Sequence, residues 1–141
     1  MEDVMNPPEK GPVGRPAGVA AGAYTAITGI SAPVSALAGD PVIVDVTVKN
    51  ISGSDQYIAV TGAYDSLSPS WQFDYLILSP GQSVVFRGNF TMPNKSVRVT
   101  AWSWWWDGSQ WVYDDTAYVD IALGAVAPTF RGFGISQYNK L

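Results

Sequence analysis

The sequence predicts an all-β protein that folds as a single β-sandwich of about seven strands with extended N- and C-terminal arms. Apolar residues recur at every second position through much of residues 24–127, and clusters of turn residues interrupt them at short spacing. No segment shows a convincing helical period. A chain of 141 residues is long enough to bury the core of one such domain.

The first half of this domain contains three predicted strands. The chain enters the first strand within residues 23–40. The second strand is the clearest, because alternation places four valines on one half-buried face: Val42, Val44, Val46 and Val48. The turn residues of segment 50–55 end this strand, and a third strand is predicted over residues 56–64.

The next two strands follow a break at residues 65–70. We expect one strand over residues 71–78, with four large side chains on one face: Trp71, Phe73, Tyr75 and Ile77. Residues 79–82 have Pro and Gly in the middle positions of a type II turn. Alternating apolar residues then predict a strand from residue 84 to residue 92.

The last two strands form a predicted hairpin. Residues 97–106 and the strand that begins at Trp111 are joined through Asp107-Gly108, a dipeptide typical of tight β-hairpins. Counting the entry strand, about seven strands with short connections are typical of an immunoglobulin-like sandwich.

The order of these motifs resembles the CARDB-like and related immunoglobulin-like domains. The resemblance covers residues 24–127, and the matching stretches are 44–52, 78–83, 86–93 and 97–103. Such domains are common in prokaryotic surface proteins and in virion proteins of tailed viruses. The resemblance implies a protein that adheres, spaces or decorates, and it carries no catalytic motif to this chain.

Residues 1–23 form a predicted Pro/Gly-rich arm. Proline removes backbone donors and glycine raises the entropy cost of ordering, so an extended segment without its own core is expected. Two interpretations stay open: a disordered tail, or an arm that orders against a neighbouring subunit. In the second case the contact residues would be the prolines of the arm: Pro7, Pro8, Pro12 and Pro16.

Residues 128–141 are too apolar for an idle tail. We expect a C-terminal strand or arm that pairs within the chain or with a neighbour, because an uncovered apolar strand favours aggregation. Its candidate contact residues are Phe130, Phe133 and Tyr138.

Composition excludes several kinds of chemistry. The chain has no Cys and no His, which rules out cysteine nucleophiles, disulfides, Cys/His zinc sites and a Ser-His-Asp triad. Eight basic against twelve acidic residues, a net charge of −4, disfavour nucleic acid as a partner. Asp114 and Asp115 are expected on opposite faces of a strand, where they cannot act as a pair. We therefore predict no enzyme, no catalytic residue, no cofactor and no metal.

The start of the chain does not have the pattern of a signal peptide, because Glu2 and Asp3 follow Met1 and no apolar region comes after them. No stretch approaches the length of a membrane-spanning helix, and no membrane partner is expected. These features favour the virion members of the resembled group, with synthesis in the host cytoplasm and a final location in the virion.

A row of tryptophans is the most distinctive feature of the sequence. By alternation Trp105 faces the core, while Trp102, Trp104 and Trp106 share the opposite face. Tyr118 on the return strand is assigned to the same platform. Three interpretations stay open: packing under one of the chain's own arms, a subunit interface, or a platform for glycans. A nucleic-acid platform is disfavoured, because the row's strand carries only one basic residue, Arg98.

These observations favour a non-enzymatic structural protein of a viral particle, most specifically a capsid decoration (cement) protein of a tailed virus. We expect it to assemble through its arms and its aromatic face. Its partners would be copies of itself and a capsid or other virion protein. The alternative is a carbohydrate-binding or adhesion module that uses the tryptophan row.

Overall fold

A computed structural model describes residues 6–125, which form nine strands and no helix within that range. The predictions for Phe130, Phe133 and Tyr138, and for the C-terminal arm, lie outside the described residues. The strands are β1 (Thr25–Ser31), β2 (Ser35–Ala36), β3 (Pro41–Asn50), β4 (Gln56–Tyr64), β5 (Ser70–Trp71), β6 (Leu76–Leu78), β7 (Ser83–Thr91), β8 (Val97–Trp106) and β9 (Trp111–Leu123). Nothing in the described part of the chain is a helix that could span a membrane.

The strands form two sheets that pack face to face. The four-stranded sheet has the order β1-β3-β7-β5, and the five-stranded sheet has the order β2-β9-β8-β4-β6. Neighbouring strands are antiparallel, except that β2 runs parallel to β9. The predicted all-β sandwich is confirmed. The count exceeds the predicted seven by two, because the short strand β2 was not predicted and the short strands β5 and β6 replace the single strand predicted over residues 71–78.

The core lies between the two sheets. The four valines of β3, at positions 42, 44, 46 and 48, are completely buried, as their alternation predicts. Side chains of β4, β6, β7, β8 and β9 belong to the same cluster, and those of β7 and β8 are Phe86, Phe90, Val97, Val99 and Ala101. Burial of each large apolar side chain contributes roughly 1.5–3 kcal/mol relative to its exposure to water.

Residues 71–78 do not form one strand, so the prediction for this segment is wrong. β5 pairs with β7 in the four-stranded sheet, whereas β6 pairs with β4 in the five-stranded sheet. The chain therefore changes sheets within residues 72–75. Trp71 and Phe73 pack against the core, while Tyr75 packs on the outer face of the five-stranded sheet and Ile77 is exposed.

Trp71 occupies a slot between two glycines, one in each sheet. A Cβ on Gly62 of β4 would lie 2.9 Å from Trp71 Cζ2 and 3.0 Å from the carbonyl oxygen of Thr100. A Cβ on Gly88 of β7 would lie 2.9 Å from two atoms of the same ring. The ring thus fills space that glycine leaves in both sheets.

The predicted type II turn has the expected backbone, and the predicted hairpin forms with a longer loop than a tight turn, because Trp106 pairs with Trp111 and four residues lie between the strands. Gly81 has φ of 81°, and Gln82 N donates to Ser79 O at 3.0 Å, which closes a type II turn. Gly108 in the β8–β9 hairpin has φ of 101°. Such positive values explain why glycine occupies both positions.

Candidate functional site

The outer face of the five-stranded sheet carries a cluster of aromatic side chains. In β8 the residues Val97, Val99 and Ala101 point into the core, so that the alternate positions, Trp102 and Trp104, point outward as the sequence predicts. We call the whole cluster the aromatic face: Tyr75, Trp102, Trp104, Trp106, Trp111 and Tyr113.

Trp105 packs away from this cluster. Its ring stacks on that of Tyr24, the residue before β1, with a centroid distance of 3.8 Å. Its side chain is half-buried.

Residues 6–22, which we call the arm, cross the aromatic face without regular secondary structure. Three aromatic side chains of the face donate hydrogen bonds to alternate backbone carbonyls at the beginning of the arm. These bonds are Trp106 Nε1 to Asn6 O (2.6 Å), Tyr75 Oη to Pro8 O (2.9 Å) and Trp111 Nε1 to Lys10 O (2.8 Å). The face therefore recognises the backbone of this segment, while the side chains of Glu9 and Lys10 remain exposed.

Gly11 is the tightest point of the contact. Its backbone amide donates to Asp74 Oδ2 at 3.0 Å, and the residue is buried. A Cβ at this position would lie 2.8 Å from Asp74 Oδ1 and nearer still to the Asp74 carbonyl oxygen. A side chain here would force the arm and the Asp74 backbone apart.

A chain of hydrogen bonds links the sheet to the second half of the arm. Trp104 Nε1 donates to Thr61 Oγ1, and that hydroxyl donates to Gly14 O, each at 2.8 Å. The guanidinium of Arg15 lies 4.9 Å from the centroid of the Trp102 ring, within cation–π distance.

The tryptophan row is thus covered by the chain's own arm. Trp102 is 5% exposed and Trp104 is 8% exposed, whereas Trp106 is half-buried. Tyr118 does not join them: it is exposed, and the Arg98 guanidinium stacks on it at 3.9 Å. The arm's prolines differ in burial, Pro8 being buried, Pro12 and Pro16 half-buried, and Pro7 exposed.

Several residues that hold the arm were not predicted as site residues. Asp74 and Tyr75 fall in the segment that sequence periodicity assigns to a single strand, and Thr61 has no distinguishing pattern around it. Trp111 lies close to the tryptophans of β8 in the sequence, directly after the hairpin turn. This proximity is the signal by which it could have been assigned to the same face.

The two aspartates of β9 act together at the root of the arm, which overturns the expectation that they point apart. Ser103 pairs with Asp115 and Trp104 pairs with Tyr113, so Asp114 is the extra residue of a β-bulge. Asp114 accepts hydrogen bonds from the amides of Ala23, Tyr24 and Thr25, and Asp115 accepts one from Ile27. Both carboxylates therefore fasten the start of β1.

A shallow cleft of about 520 Å³ lies between the arm and the β8–β9 turn. The rings of Trp106 and Trp111 line it in an edge-to-face pair with centroids 5.4 Å apart. Glu9, Lys10 and Ser109 are among the polar residues at its walls.

In the part of the chain that the structure describes, three carboxylates have lowered pKa values, each for a local reason. A hydrogen bond from Arg87 lowers the pKa of Asp45, and one from Arg98 lowers the pKa of Asp120. At the hairpin, backbone amides of Ser109 and Gln110 donate to Asp107 and lower its pKa. Among residues 6–125, no three acidic side chains gather at one point as a metal site would require.

No protein-family model and no curated protein matches this sequence. Among solved structures, it is similar to a CARDB domain from Pyrococcus furiosus that was solved in complex with di-metal ions. The two share 15% identity at a TM-score of 0.53, over 77% of this chain and 95% of that domain. The fold is a CARDB-like β-sandwich.

Two further solved structures are similar to this chain at TM-scores below 0.5. The cupredoxin domain of amoB from Nitrosocaldus yellowstonii is 7% identical, with a TM-score of 0.48 over 76% of this chain and 93% of that one. The alkylpurine DNA glycosylase AlkC of Pseudomonas fluorescens, solved bound to DNA, is 12% identical, with a TM-score of 0.49 over 71% of this chain. This chain spans only 31% of the glycosylase.

Proposed function

We propose that this protein is a non-enzymatic structural component of a larger particle, most specifically a capsid decoration protein of a tailed virus. In this role the sandwich is a rigid spacer, and the arms and the aromatic face are its assembly elements. The partners are copies of the same chain and a capsid or other virion protein.

The observation that carries the proposal is the way in which the arm is held. Trp106, Tyr75 and Trp111 direct their polar hydrogens at carbonyls of an extended segment, and Gly11 fits where no larger residue can. Aromatic-lined grooves of this kind are a recurring means of recognising proline-rich peptides. A domain that carries both a peptide-like arm and a groove for it has the parts that an assembly protein needs.

The opposite side of the sandwich supplies a second surface of suitable chemistry. The outer face of the four-stranded sheet exposes Ile43 and Val85, with the Asp45–Arg87 ion pair between their strands. Non-obligate interfaces are about as apolar as the rest of a protein surface, so a face of this composition can take part in one. Weak contacts of many copies on a lattice then add through avidity.

A carbohydrate-binding or adhesion module is the second candidate, and the cleft beside the arm favours it. The rings of Trp106 and Trp111 line that cleft, and aromatic rings of this kind stack on sugar rings. Their Nε1 groups are already bonded to the arm, so binding would use the ring faces.

The first experiment is the solution mass of the full chain, measured by light scattering after size exclusion over a wide range of concentrations. A defined oligomer supports the structural role. A monomer at every concentration contradicts self-assembly in solution. The remaining structural role is then that of a protein that assembles only when it binds to a particle.

Two further measurements separate the candidates. Mass spectrometry of purified virus particles should detect the chain in stoichiometric amounts if it is a virion component, and its absence from them would overturn the virion assignment. Affinity electrophoresis in polysaccharide gels should show no retardation. Retardation that is lost in Trp111→Ala and kept in the exposed control Tyr118→Ala would favour the glycan module.

A further inference from the structure

We infer that the groove on the aromatic face also binds the arm of a second copy of this chain, so that arms are exchanged between neighbouring molecules. This inference rests on the proposed structural role and names the partner of its principal surface. The same hydrogen bonds would form between copies as within one, because every one of them joins the arm to the sheet and none depends on the connection between them.

The arm divides into a bound segment and a connection. Residues 6–15 carry the hydrogen bonds to Trp106, Tyr75, Trp111, Asp74 and Thr61. No hydrogen bond joins residues 16–20 to the sheets in the described structure. Val19 in this stretch is 91% exposed, and Gly18 has φ of 83°. The connection is therefore a hinge that contributes little to binding.

The path of the connection indicates which change would prevent binding within one molecule. The arm passes from Trp106 to Trp102, where Arg15 lies, and the chain then returns to β9, where Ala21 N donates to Tyr113 O. The connection thus reverses direction, and a chain reversal takes about four residues. A shortened hinge cannot make this reversal and keep both sets of contacts, which is a common route to exchange between copies.

The balance between the two arrangements depends on local concentration. A short tether gives an effective concentration on the order of millimolar for binding within one molecule. Copies packed side by side on a particle present their neighbours' arms at comparable local concentration. An extended hinge of residues 16–20 spans at most about 16–18 Å, so only immediate neighbours can exchange arms.

The recognition step is tested with a peptide and a variant of the full chain. In Gly11→Ala the chain's own arm is displaced, which leaves the groove free while the sandwich residues are unchanged. A fluorescent peptide of residues 6–16 should then bind to this variant in a saturable 1:1 manner, measured by fluorescence anisotropy. The same peptide with Gly11→Ala should bind at least about tenfold more weakly.

Two controls make this result specific. Val13→Ala alters an arm side chain that is 82% exposed, so this full-length control should keep its arm bound and take up little peptide. Adding Trp111→Ala to the Gly11→Ala chain should abolish peptide binding. The inference is overturned if the wild-type peptide does not bind to the Gly11→Ala chain. It is also overturned if the peptide that carries Gly11→Ala binds to this chain as tightly as the wild-type peptide does.

Exchange itself is tested by deleting residues 17–20, which leaves the arm and the groove intact. The expected product is a dimer or larger closed oligomer whose tryptophans are as protected from acrylamide quenching as in the wild type. A monomer with accessible tryptophans would contradict exchange. If the wild-type chain forms oligomers but the peptide does not bind to the groove, the proposed structural role stands and the oligomers form through another surface.

Discussion

The carboxylate of Asp114 accepts two hydrogen bonds from Thr25, one from its backbone amide and one from its hydroxyl at 2.6 Å. The same hydroxyl lies 2.7 Å from Ser103 Oγ, and all three side chains are buried, with Asp114 at 0% exposure. Asp114 and Ser103 belong to the five-stranded sheet and Thr25 to the four-stranded sheet. This cluster therefore joins the two sheets at the point where the arm enters β1.

Asp114→Ala should be among the most destabilising single changes in the domain. It removes the acceptor for three backbone amides and one hydroxyl, and leaves buried donors without a partner. We expect a loss of at least about 3 kcal/mol in the free energy of unfolding, measured by urea denaturation. Asp115→Ala, which frees the amide of Ile27 at a half-buried site, should cost about 1 kcal/mol. Equal losses for the two variants would contradict the role assigned to the bulge.

Gly62→Ala should destabilise the sandwich by about 1–3 kcal/mol, because its Cβ meets both the Trp71 ring and the backbone carbonyl of Thr100. The three atoms nearest to the new Cβ of Gly88→Ala all belong to the Trp71 ring, so this change should cost less when Trp71 is also changed to Leu. Gly53→Ala, with no atom within 4 Å of the new Cβ, is the matched control and should change stability by less than about 0.5 kcal/mol. Thermal unfolding of the variants gives the comparison, and a harmless Gly62→Ala would disprove the tight slot.

Thr61→Val tests the hydrogen-bond chain under the arm. The change keeps the shape of the side chain but leaves Trp104 Nε1 without its acceptor and Gly14 O without its donor. We expect a loss of about 1–3 kcal/mol in denaturant unfolding, together with easier quenching of tryptophan emission by acrylamide. Thr91→Val, at an exposed position of β7, should leave both properties unchanged. Unaltered quenching in Thr61→Val would show that the arm is held without this relay.

Stability should fall as the solution is acidified below about pH 4. The pKa of Asp107 is lowered in the folded state by amides of the hairpin, so its ionised form stabilises the fold above its unfolded pKa. That contribution is lost as pH falls through the lower, folded value. The pKa values of Asp45 and Asp120 are lowered by their arginine partners and act in the same direction.

Asp107→Asn keeps an oxygen acceptor but removes the charge, so it should flatten part of this pH dependence in urea unfolding. Asp45→Asn should flatten a separate part, and high salt should weaken the Asp45 contribution more than that of Asp107, because the former depends on an exposed ion pair. If the stability of Asp107→Asn depends on pH as steeply as that of the wild type, Asp107 does not contribute to the pH dependence.

The sequence predicts those parts of the fold that depend on local alternation. The valines of β3 and the outward tryptophans of β8 follow directly from the two-residue period of a strand, and Gly81 follows from the backbone demands of its turn. The change of sheet within residues 72–75 could not be predicted from the sequence. The alternating aromatic residues Trp71, Phe73 and Tyr75 would look the same if they all packed on one sheet. Periodicity reports which side of a strand is apolar, and it carries no information on which sheet the strand joins.

Contacts distant in the chain are the other part that alternation does not predict. Gly11 and Asp74 are 63 residues apart, and nothing local to either marks them as partners. The bulge at Asp114 adds one residue to β9, which changes the side on which the carboxylates lie. A single added residue leaves no trace in composition, and so the joint action of Asp114 and Asp115 emerges only in the folded chain.

The groove holds the arm by its main-chain oxygens, and this has an evolutionary consequence. Substitutions at positions 9, 10 and 13 change what the arm displays to its surroundings without removing any of its bonds to the sheet, provided that Gly11 is kept. The outward side of the arm is therefore free to diversify. Related molecules could exchange one surface chemistry for another on an unaltered sandwich, and adapt to new neighbours faster than the core could change.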